Sequence, residues 1–427
     1  MKNLKDCMKW GVAAGVSALL SGTAVAETLP SAAEMWALIQ KQQKQIDELS
    51  RSLATATERT AQVDARTKSV EEKVEATSAH VESLATETAG KGGGLMEGTT
   101  IGGYGEMHYS SGKAGSPTTP ERLDFHRFVL FVNHDFNDKM RLVSELEVEH
   151  ALAGNGANKP GEVELEQAYV EFDLTPQSQA KAGLFLLPVG ILNETHEPAT
   201  FYGVDRNMVE TDIIPSTWWE GGVAYSRQFD RGLSYDVAVH SGLKVANSGP
   251  DAYNIRKGRQ KVAEAAASDG AMTTRVKYTG IKGLTLATSV QYQQDINQST
   301  VTNETADAFL TSVHADWRRG GFGLRALAAR WDINGATAAS LGGDIQYGYY
   351  IEPSYRFPIS VGELGFFARY GVVDNQAGNA AFSEKRYTDL GVNYWPHAQI
   401  VLKADIQFAE LPTANDETFS LGLGFQF

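Results

Sequence analysis

Acidic side chains recur at every second position in two neighbouring stretches of the sequence. Residues of the same parity lie on one face of a β-strand, so each set would line a single surface. Arrayed carboxylates repel one another unless water and cations screen them, which is the chemistry of an aqueous channel wall. The first stretch contains Glu145, Glu147 and Glu149, together with Arg141 on the same face, and the second contains Glu162, Glu164 and Glu166.

Basic side chains dominate the water-facing positions of later segments. These positions are Arg275, Lys277, Arg325, Arg369, Lys403 and Asp405. Positive charge on one part of a lumen wall and carboxylates on another predict a transverse electric field, which would orient dipolar solutes. A generic hydrated wall without preference is the alternative interpretation. Arg127 and Glu171 break the alternation of their segments, so their orientation is not predicted.

A third charged set lies in the connector formed by residues 189–217, which is longer than a turn. It contains Glu194, His196, Glu197, Asp205, Arg206, Glu210 and Asp212. Five acids and one arginine would make an anionic constriction if this segment lay inside a pore. They would only solvate an external loop if it did not.

Enzymatic motifs are absent from the sequence: there is no His-Glu-x-x-His, no phosphate-binding loop and no Gly-x-Ser-x-Gly elbow. The single cysteine, Cys7, cannot build a cysteine-based metal site. We interpret the nine histidines as scattered, and we predict no metal and no cofactor. His126, His240 and Ser241 could belong to a barrel hydrolase, but a non-enzymatic protein is favoured. The net charge of −14 excludes a nucleic-acid partner.

The elements that carry these residues are predicted strands. Residues 99–427 alternate apolar and polar positions in segments of about ten residues, the pattern of transmembrane strands. Seven tight turns alternate with eight long connections, the last of them after Glu410, which predicts sixteen strands. The fold class is therefore an all-β membrane protein with a 16-stranded antiparallel transmembrane β-barrel. Lipid-facing positions include Leu284, Leu286, Val290, Tyr292, Leu402 and Phe408, and Trp317, Trp331, Tyr394, Trp395 and Phe425 would form interfacial girdles.

The N-terminal part of the sequence differs from the barrel. Residues 1–26 place three lysines before a short apolar run and end in Ala24-Val25-Ala26, which is typical of a signal peptide. Residues 27–90 contain a seven-residue repeat whose seam is apolar at eleven of fifteen positions, predicting an α-helical coiled coil in the periplasm. A single solvated helix or a disordered linker remains the alternative. Residues 91–98 form a Gly-rich linker.

Three short motifs resemble the porin O/P family, the phosphate-selective porins. They are Ala182-Gly183-Leu184-Phe185-Leu186-Leu187-Pro188-Val189-Gly190, Thr195-His196-Glu197-Pro198 and Trp218-Trp219-Glu220-Gly221-Gly222-Val223. The resemblance implies a homotrimer embedded in the lipid of the outer membrane of a Gram-negative bacterium, with the third loop folded inward to constrict each pore. The acids of that loop differ from the arginine-lined path that the family's name suggests.

Two functions fit these observations. The first is a porin that allows passive diffusion of small hydrophilic solutes or ions. The alternative is a structural or tethering protein whose coiled coil contacts peptidoglycan or a periplasmic protein, with the barrel as its anchor.

Overall fold

The fold is that of a computed structural model, which describes residues 97–112, 121–152, 161–298, 305–379, 381 and 383–427, together with Trp36, Gln40, Lys41, Gln43, Lys44 and Asp47. The chain divides into two compact units, Met1–Gly93 and Gly94–Phe427. The six described residues of the first unit are helical, and the Gln43 amide donates to Asp47 at 3.1 Å, one turn further on. The predicted signal peptide and most of the predicted coiled coil and linker lie outside the described residues.

Sixteen antiparallel strands form a closed barrel. Each strand pairs with the strands that precede and follow it in sequence, and β1 pairs with β16 to close the barrel. The predicted sixteen-stranded antiparallel barrel is confirmed. The strands are β1 (Thr99–Gly112), β2 (Arg122–Asn137), β3 (Met140–Glu149), β4 (Val163–Thr175), β5 (Ser178–Leu186), β6 (Trp219–Gln228), β7 (Leu233–His240), β8 (Ala271–Ile281), β9 (Leu284–Gln293), β10 (Asp307–Arg319), β11 (Phe322–Asn334), β12 (Ile345–Pro358), β13 (Glu363–Asp374), β14 (Lys385–His397), β15 (Ile400–Glu410) and β16 (Asn415–Gln426).

Helical structure among the described barrel residues is confined to single turns. These are Pro198–Thr200, Val209–Ile213, Asp230–Gly232, Arg256–Gly258 and Ala336–Leu341. In the part of the chain that the structure describes, no helix has both the length and the apolar character to cross a membrane.

The strands separate an apolar outer face from a polar inner face. On β9, Leu286 and Tyr292 are exposed while Ser289 and Gln291 are buried. On β15, Leu402 is exposed and Lys403 is buried. The predicted alternation is confirmed on both strands, and the outer face matches the hydrocarbon of a bilayer.

Two of the aromatic residues predicted for the interfacial girdles lie inside the barrel instead. Trp331 is fully buried, and its indole N–H donates to the carbonyl of Ile213 at 2.9 Å. Trp395 packs edge-on against Tyr202 at 5.6 Å and under the guanidinium of Arg356. Both indoles therefore pack on an inserted loop, which the alternation alone did not reveal.

Two β-bulges explain the residues that break the alternation. On β2 the register shifts between Arg127 and Asp124, and on β4 it shifts between Gln167 and Leu165. An extra residue in one strand reverses the phase of every side chain beyond it. Arg127 on β2 and Glu171 on β4 consequently face the lumen, although sequence parity would place them outside.

Connections of different length mark the two rims of the barrel. Short turns join β2 to β3 and β8 to β9, for example, whereas residues 187–218 (loop 3) join β5 to β6 and residues 241–270 (loop 4) join β7 to β8. The connection after Glu410 was predicted to be long and is a four-residue turn, residues 411–414, closed by a hydrogen bond from Leu411 N to Ala414 O at 3.0 Å.

An apolar core fills part of the barrel interior. It joins loop 3 and loop 4 to the inner faces of strands β10 to β15, and its large, fully buried side chains include Ile213, Trp218, Ile255, Leu310 and Trp331. The burial of these side chains removes apolar surface from water and holds both loops inside the barrel. The interior is therefore only partly aqueous.

Candidate pore constriction

Loop 3 crosses the inside of the barrel and is hydrogen-bonded to the opposite wall. Arg325 on β11 donates to the carbonyl of Thr200 at 3.0 Å, and Arg369 on β13 donates to that of Tyr202 at 2.6 Å. Lys403 on β15 donates to the carbonyl of Gly203 at 2.7 Å. These strands lie far around the barrel from β5 and β6, so the loop spans the lumen between them.

The basic residues predicted to line an open lumen are largely committed to partners. Arg275 forms ion pairs with Asp236, at 2.8 Å, and with Glu194 of loop 3. Arg325 pairs with Asp316 at 3.0 Å. A paired arginine contributes little net charge to the lumen. Arg275 and Arg325 therefore attach loop 3 to the wall as well as lining the lumen.

Three more of the predicted wall residues have similar partners. Arg369 lies 2.6 Å from Glu352 and 3.4 Å from Asp389. The Asp405 carboxylate accepts a hydrogen bond from Val204 N of loop 3 at 2.5 Å. Arg141 pairs with Glu171 at 2.7 Å and Asp173 at 2.6 Å near the short-turn rim.

Glu210 has a structural position within loop 3. Its side chain is fully buried, and its carboxylate accepts hydrogen bonds from Ile191 N at 2.5 Å, Leu192 N at 2.8 Å, Asn207 Nδ2 at 3.2 Å and the Tyr350 hydroxyl at 3.0 Å. Burial is the largest influence on its pKa and raises it, while these hydrogen bonds lower it in part. The expectation that Glu210 lines the constriction is wrong, because four donors from loop and wall enclose it.

His196 attaches loop 3 to the acidic wall. Its Nε2 atom lies 3.3 Å from Glu145 and 3.4 Å from Glu166, and all three side chains are buried. Burial alone would lower the pKa of this loop residue, but the contacts with the two carboxylates raise it to about 9. The imidazole is therefore cationic at neutral pH and bridges loop and wall.

Raising the pH through about 9 should loosen loop 3, because His196 then loses its charge. Its folded-state pKa lies above the ordinary value of 6.5, so the stabilisation is complete below pH 6.5 and is lost as the pH rises through about 9. Single-channel recordings at increasing pH should show growing current fluctuations. The His196→Gln variant should lack this pH step, and a step of unchanged size in that variant would contradict the role of His196.

The other charged residues of loop 3 are more accessible. Asp205 is exposed and lies 3.3 Å from Nδ1 of His108, and Asp212 lies 3.8 Å from Lys385. Arg206 donates to the Thr217 hydroxyl at 3.1 Å. Glu197 is half-buried. The predicted group of seven residues therefore does not form one anionic ring but is divided among several contacts.

A cavity of 370 Å³ on the long-loop side of loop 3 has walls of opposite charge. One wall carries Glu147, Glu149, Glu164 and Glu166 on β3 and β4, of which Glu147 contacts Arg127 and Glu164 contacts Lys261; the opposite wall carries Arg206, Arg256 and Arg259. Sequence analysis missed the two loop 4 arginines. The basic run Arg256-Lys257-Gly258-Arg259-Gln260-Lys261 was the available signal, but nothing in it indicated that loop 4 enters the barrel.

The loop 4 cations are held in place by hydrogen bonds to loop 3. Arg256 donates to the carbonyls of Thr211 at 3.1 Å and Ser216 at 2.8 Å, and Arg259 donates to that of Thr217 at 2.5 Å. Lys261 extends to the acidic wall, where it pairs with Glu162 at 2.8 Å and with Glu164. The charge separation across the cavity is thus built by two loops and two strands together.

A larger cavity of 820 Å³ lies on the short-turn side of loop 3. Its lining mixes both signs of charge and includes Glu194, Arg275, Lys277, Asp316 and Arg356. Loop 3 residues border both cavities, so this loop lies between them.

Three histidines meet where β1, β2 and β3 approach the long-loop rim. The rings of His108 and His126 stack at 4.7 Å, and those of His126 and His150 meet edge-on at 5.6 Å. The interpretation of the histidines as scattered is wrong for these three, because strand pairing joins them. His240 and Ser241 have separate partners: His240 contacts the Thr273 hydroxyl at 2.9 Å, and Ser241 donates to Glu220 at 2.5 Å.

The sixteen-stranded barrel has the fold of solved outer-membrane porins. The structure is similar to the anion-selective porin from Comamonas acidovorans, with a TM-score of 0.54 and 12% identity over 77% of this chain and 99% of that one. It is also similar to the trimer form of OmpT from Vibrio cholerae, with a TM-score of 0.50 and 11% identity over 77% and 99% of the two chains. At such low identity these likenesses concern the fold.

Sequence comparison gives one further relative. An uncharacterized protein of Aquifex aeolicus (strain VF5) is 29% identical over 339 residues, which are 73% of this chain and 76% of that protein. No protein-family model matches the sequence.

Proposed function

We propose that the protein is a diffusion channel for small hydrophilic solutes and ions, with its narrowest point at loop 3. The observation that carries this proposal is that an inserted loop lies between two polar cavities of 820 and 370 Å³ inside the barrel. A closed barrel satisfies its backbone in lipid and leaves its lumen to water. Solutes would move through this lumen by passive diffusion.

The charge separation in the 370 Å³ cavity supports a preference for dipolar solutes. Glu149 on one side and Arg206 and Arg259 on the other would orient a molecule that carries both signs of charge. Such contacts would replace part of the hydration shell that the molecule loses in a narrow passage. The mixed charges do not single out phosphate, so the namesake preference of the phosphate-selective porins stays a prediction from sequence resemblance.

A homotrimer is proposed as the working assembly. The seven-residue repeat within residues 27–90 favours a coiled coil with partner helices, which a trimer would provide. The similar OmpT structure from Vibrio cholerae is a trimer form, which supports the same state for this chain.

Reconstitution of the purified full-length protein into planar bilayers should give discrete openings that appear in groups of three. The physical reason is that each chain would contribute one water-filled path. A salt gradient measures the ion preference, with phosphate and small zwitterions as competing blockers. If phosphate blocks the current and zwitterions do not, the channel prefers anions and the proposed preference for dipolar solutes is wrong. Absence of conductance would overturn the channel proposal.

A further inference from the structure

The acidic and imidazole groups at the long-loop rim form a compact donor set. Nδ1 of His150 lies 2.8 Å from a carboxylate oxygen of Asp124, and Nδ1 of His126 lies 3.5 Å from the same carboxylate. One donor atom from each of the three side chains lies within 4.8 Å of the other two. We propose that Asp124, His126 and His150 bind a divalent transition-metal cation such as Zn²⁺ at the mouth of the barrel.

The donor chemistry selects this class of ion. Two imidazoles and one carboxylate suit Zn²⁺, Ni²⁺, Co²⁺ or Cu²⁺, whereas Mg²⁺ and Ca²⁺ prefer oxygen ligands alone. Three protein ligands leave a fourth position for water. All three side chains are half-buried, so a hydrated cation in the medium can reach them and still retain that water.

The distances suit a tetrahedral ion. Zinc bonds of about 2.0–2.1 Å place neighbouring ligand atoms about 3.3 Å apart. The two carboxylate–imidazole distances, 2.8 and 3.5 Å, lie on either side of that separation. The third separation, between the two imidazole nitrogens, is no more than 4.8 Å.

Regular structure positions the ligands. Asp124 and His126 lie on β2, where the bulge brings both to the inner face, and His150 directly follows β3. His126 also borders the 370 Å³ cavity, so the site opens onto the proposed path. A second group, Glu145, Glu166 and His196, has fewer imidazoles and is fully buried between loop 3 and the wall, where it has the attaching role already described.

His108 connects the site to loop 3. His108 stacks on His126 and contacts both Glu106 at 3.2 Å and Asp205 at 3.3 Å. Glu106 and Asp205 contact His108, whereas Asp124 contacts the other two imidazoles, those of His126 and His150. The carboxylate of Asp124 therefore supplies the negative charge that compensates a bound cation.

Titration calorimetry tests the site independently of conduction. The full-length protein, purified without a histidine tag, is titrated in detergent with Zn²⁺ and, in parallel, with Mg²⁺. We expect one Zn²⁺ per chain and no binding of Mg²⁺ at the same concentrations. His150→Gln and Asp124→Asn should each weaken Zn²⁺ binding at least about tenfold, since even groups that only orient metal ligands have effects of that size.

His397→Gln is the matched control, since His397 is an exposed histidine at the short-turn rim and should leave Zn²⁺ affinity unchanged. His150→Gln changes a residue outside the strands, which keeps the test valid if Asp124→Asn fails to fold. X-ray absorption of the Zn²⁺ complex should show two imidazole ligands. Absence of Zn²⁺ binding, equal binding of Mg²⁺, or unchanged affinity in the His150 variant would overturn the proposal.

Discussion

Replacing Glu210 with alanine is expected to raise the single-channel conductance, because loop 3 loses the acceptor that holds its two ends together. Four donors, from Ile191, Leu192, Asn207 and Tyr350, converge on this one carboxylate. Buried donors left without an acceptor cost about 1–3 kcal/mol each, so the packed form of the loop should lose roughly 3 kcal/mol or more. Bilayer recordings would show larger and noisier openings than those of the unmodified protein.

Two matched variants separate the hydrogen bonds of Glu210 from its charge. Glu210→Gln keeps an oxygen for Ile191 N and Leu192 N, so its conductance should lie close to that of the unmodified protein. Glu197→Ala removes another acid of the same loop, one that is half-buried rather than enclosed, and should also have a small effect. If Glu210→Ala conducts like the unmodified protein, the loop is held without this residue and its proposed role is wrong.

Removing charge from the two walls of the 370 Å³ cavity should shift ion preference in opposite directions. Glu149→Gln with Glu164→Gln leaves the basic wall in excess and should favour anions, whereas Arg206→Gln with Arg259→Gln should favour cations. The reversal potential in a tenfold KCl gradient measures this. Shifts of at least about 10 mV are expected, against a limit of about 59 mV for a perfectly selective monovalent pore.

Salt concentration and an external arginine provide the controls for this experiment. The shifts should shrink toward 1 M salt, where the screening length falls to about 3 Å. Arg330→Gln, on the outer face of β11 beside Asp332, should leave the reversal potential unchanged. Shifts of the same sign in both double variants would contradict a transverse field.

The barrel could be predicted from sequence because its signal is local. Alternation along β9 and β15 determines which face meets lipid, and turn residues between strands give their number. The prediction failed after Glu410. The regular alternation of long loops and short turns along the chain predicted a long loop there, but the connection is a tight turn. It also failed at Trp331, since an aromatic near a strand end can face either side.

The site was less predictable because it depends on pairing and loop insertion. Glu210 and Glu194 lie in the same loop and look alike in sequence, yet Glu210 is enclosed by donors from loop and wall, whereas Glu194 pairs with Arg275 on β8. His108, His126 and His150 meet only once the register of three strands is known. Single-residue patterns contain no information about either arrangement.

The bulge on β2 has an evolutionary consequence. Deleting one residue there would restore simple alternation and turn either Asp124 or His126 away from the lumen, while the rest of the barrel kept its register. Near the membrane interface a polar side chain facing outward costs only about 0–1 kcal/mol, so such a deletion would be tolerated. Descendants of one ancestral barrel could therefore gain or lose one of these mouth residues in a single step.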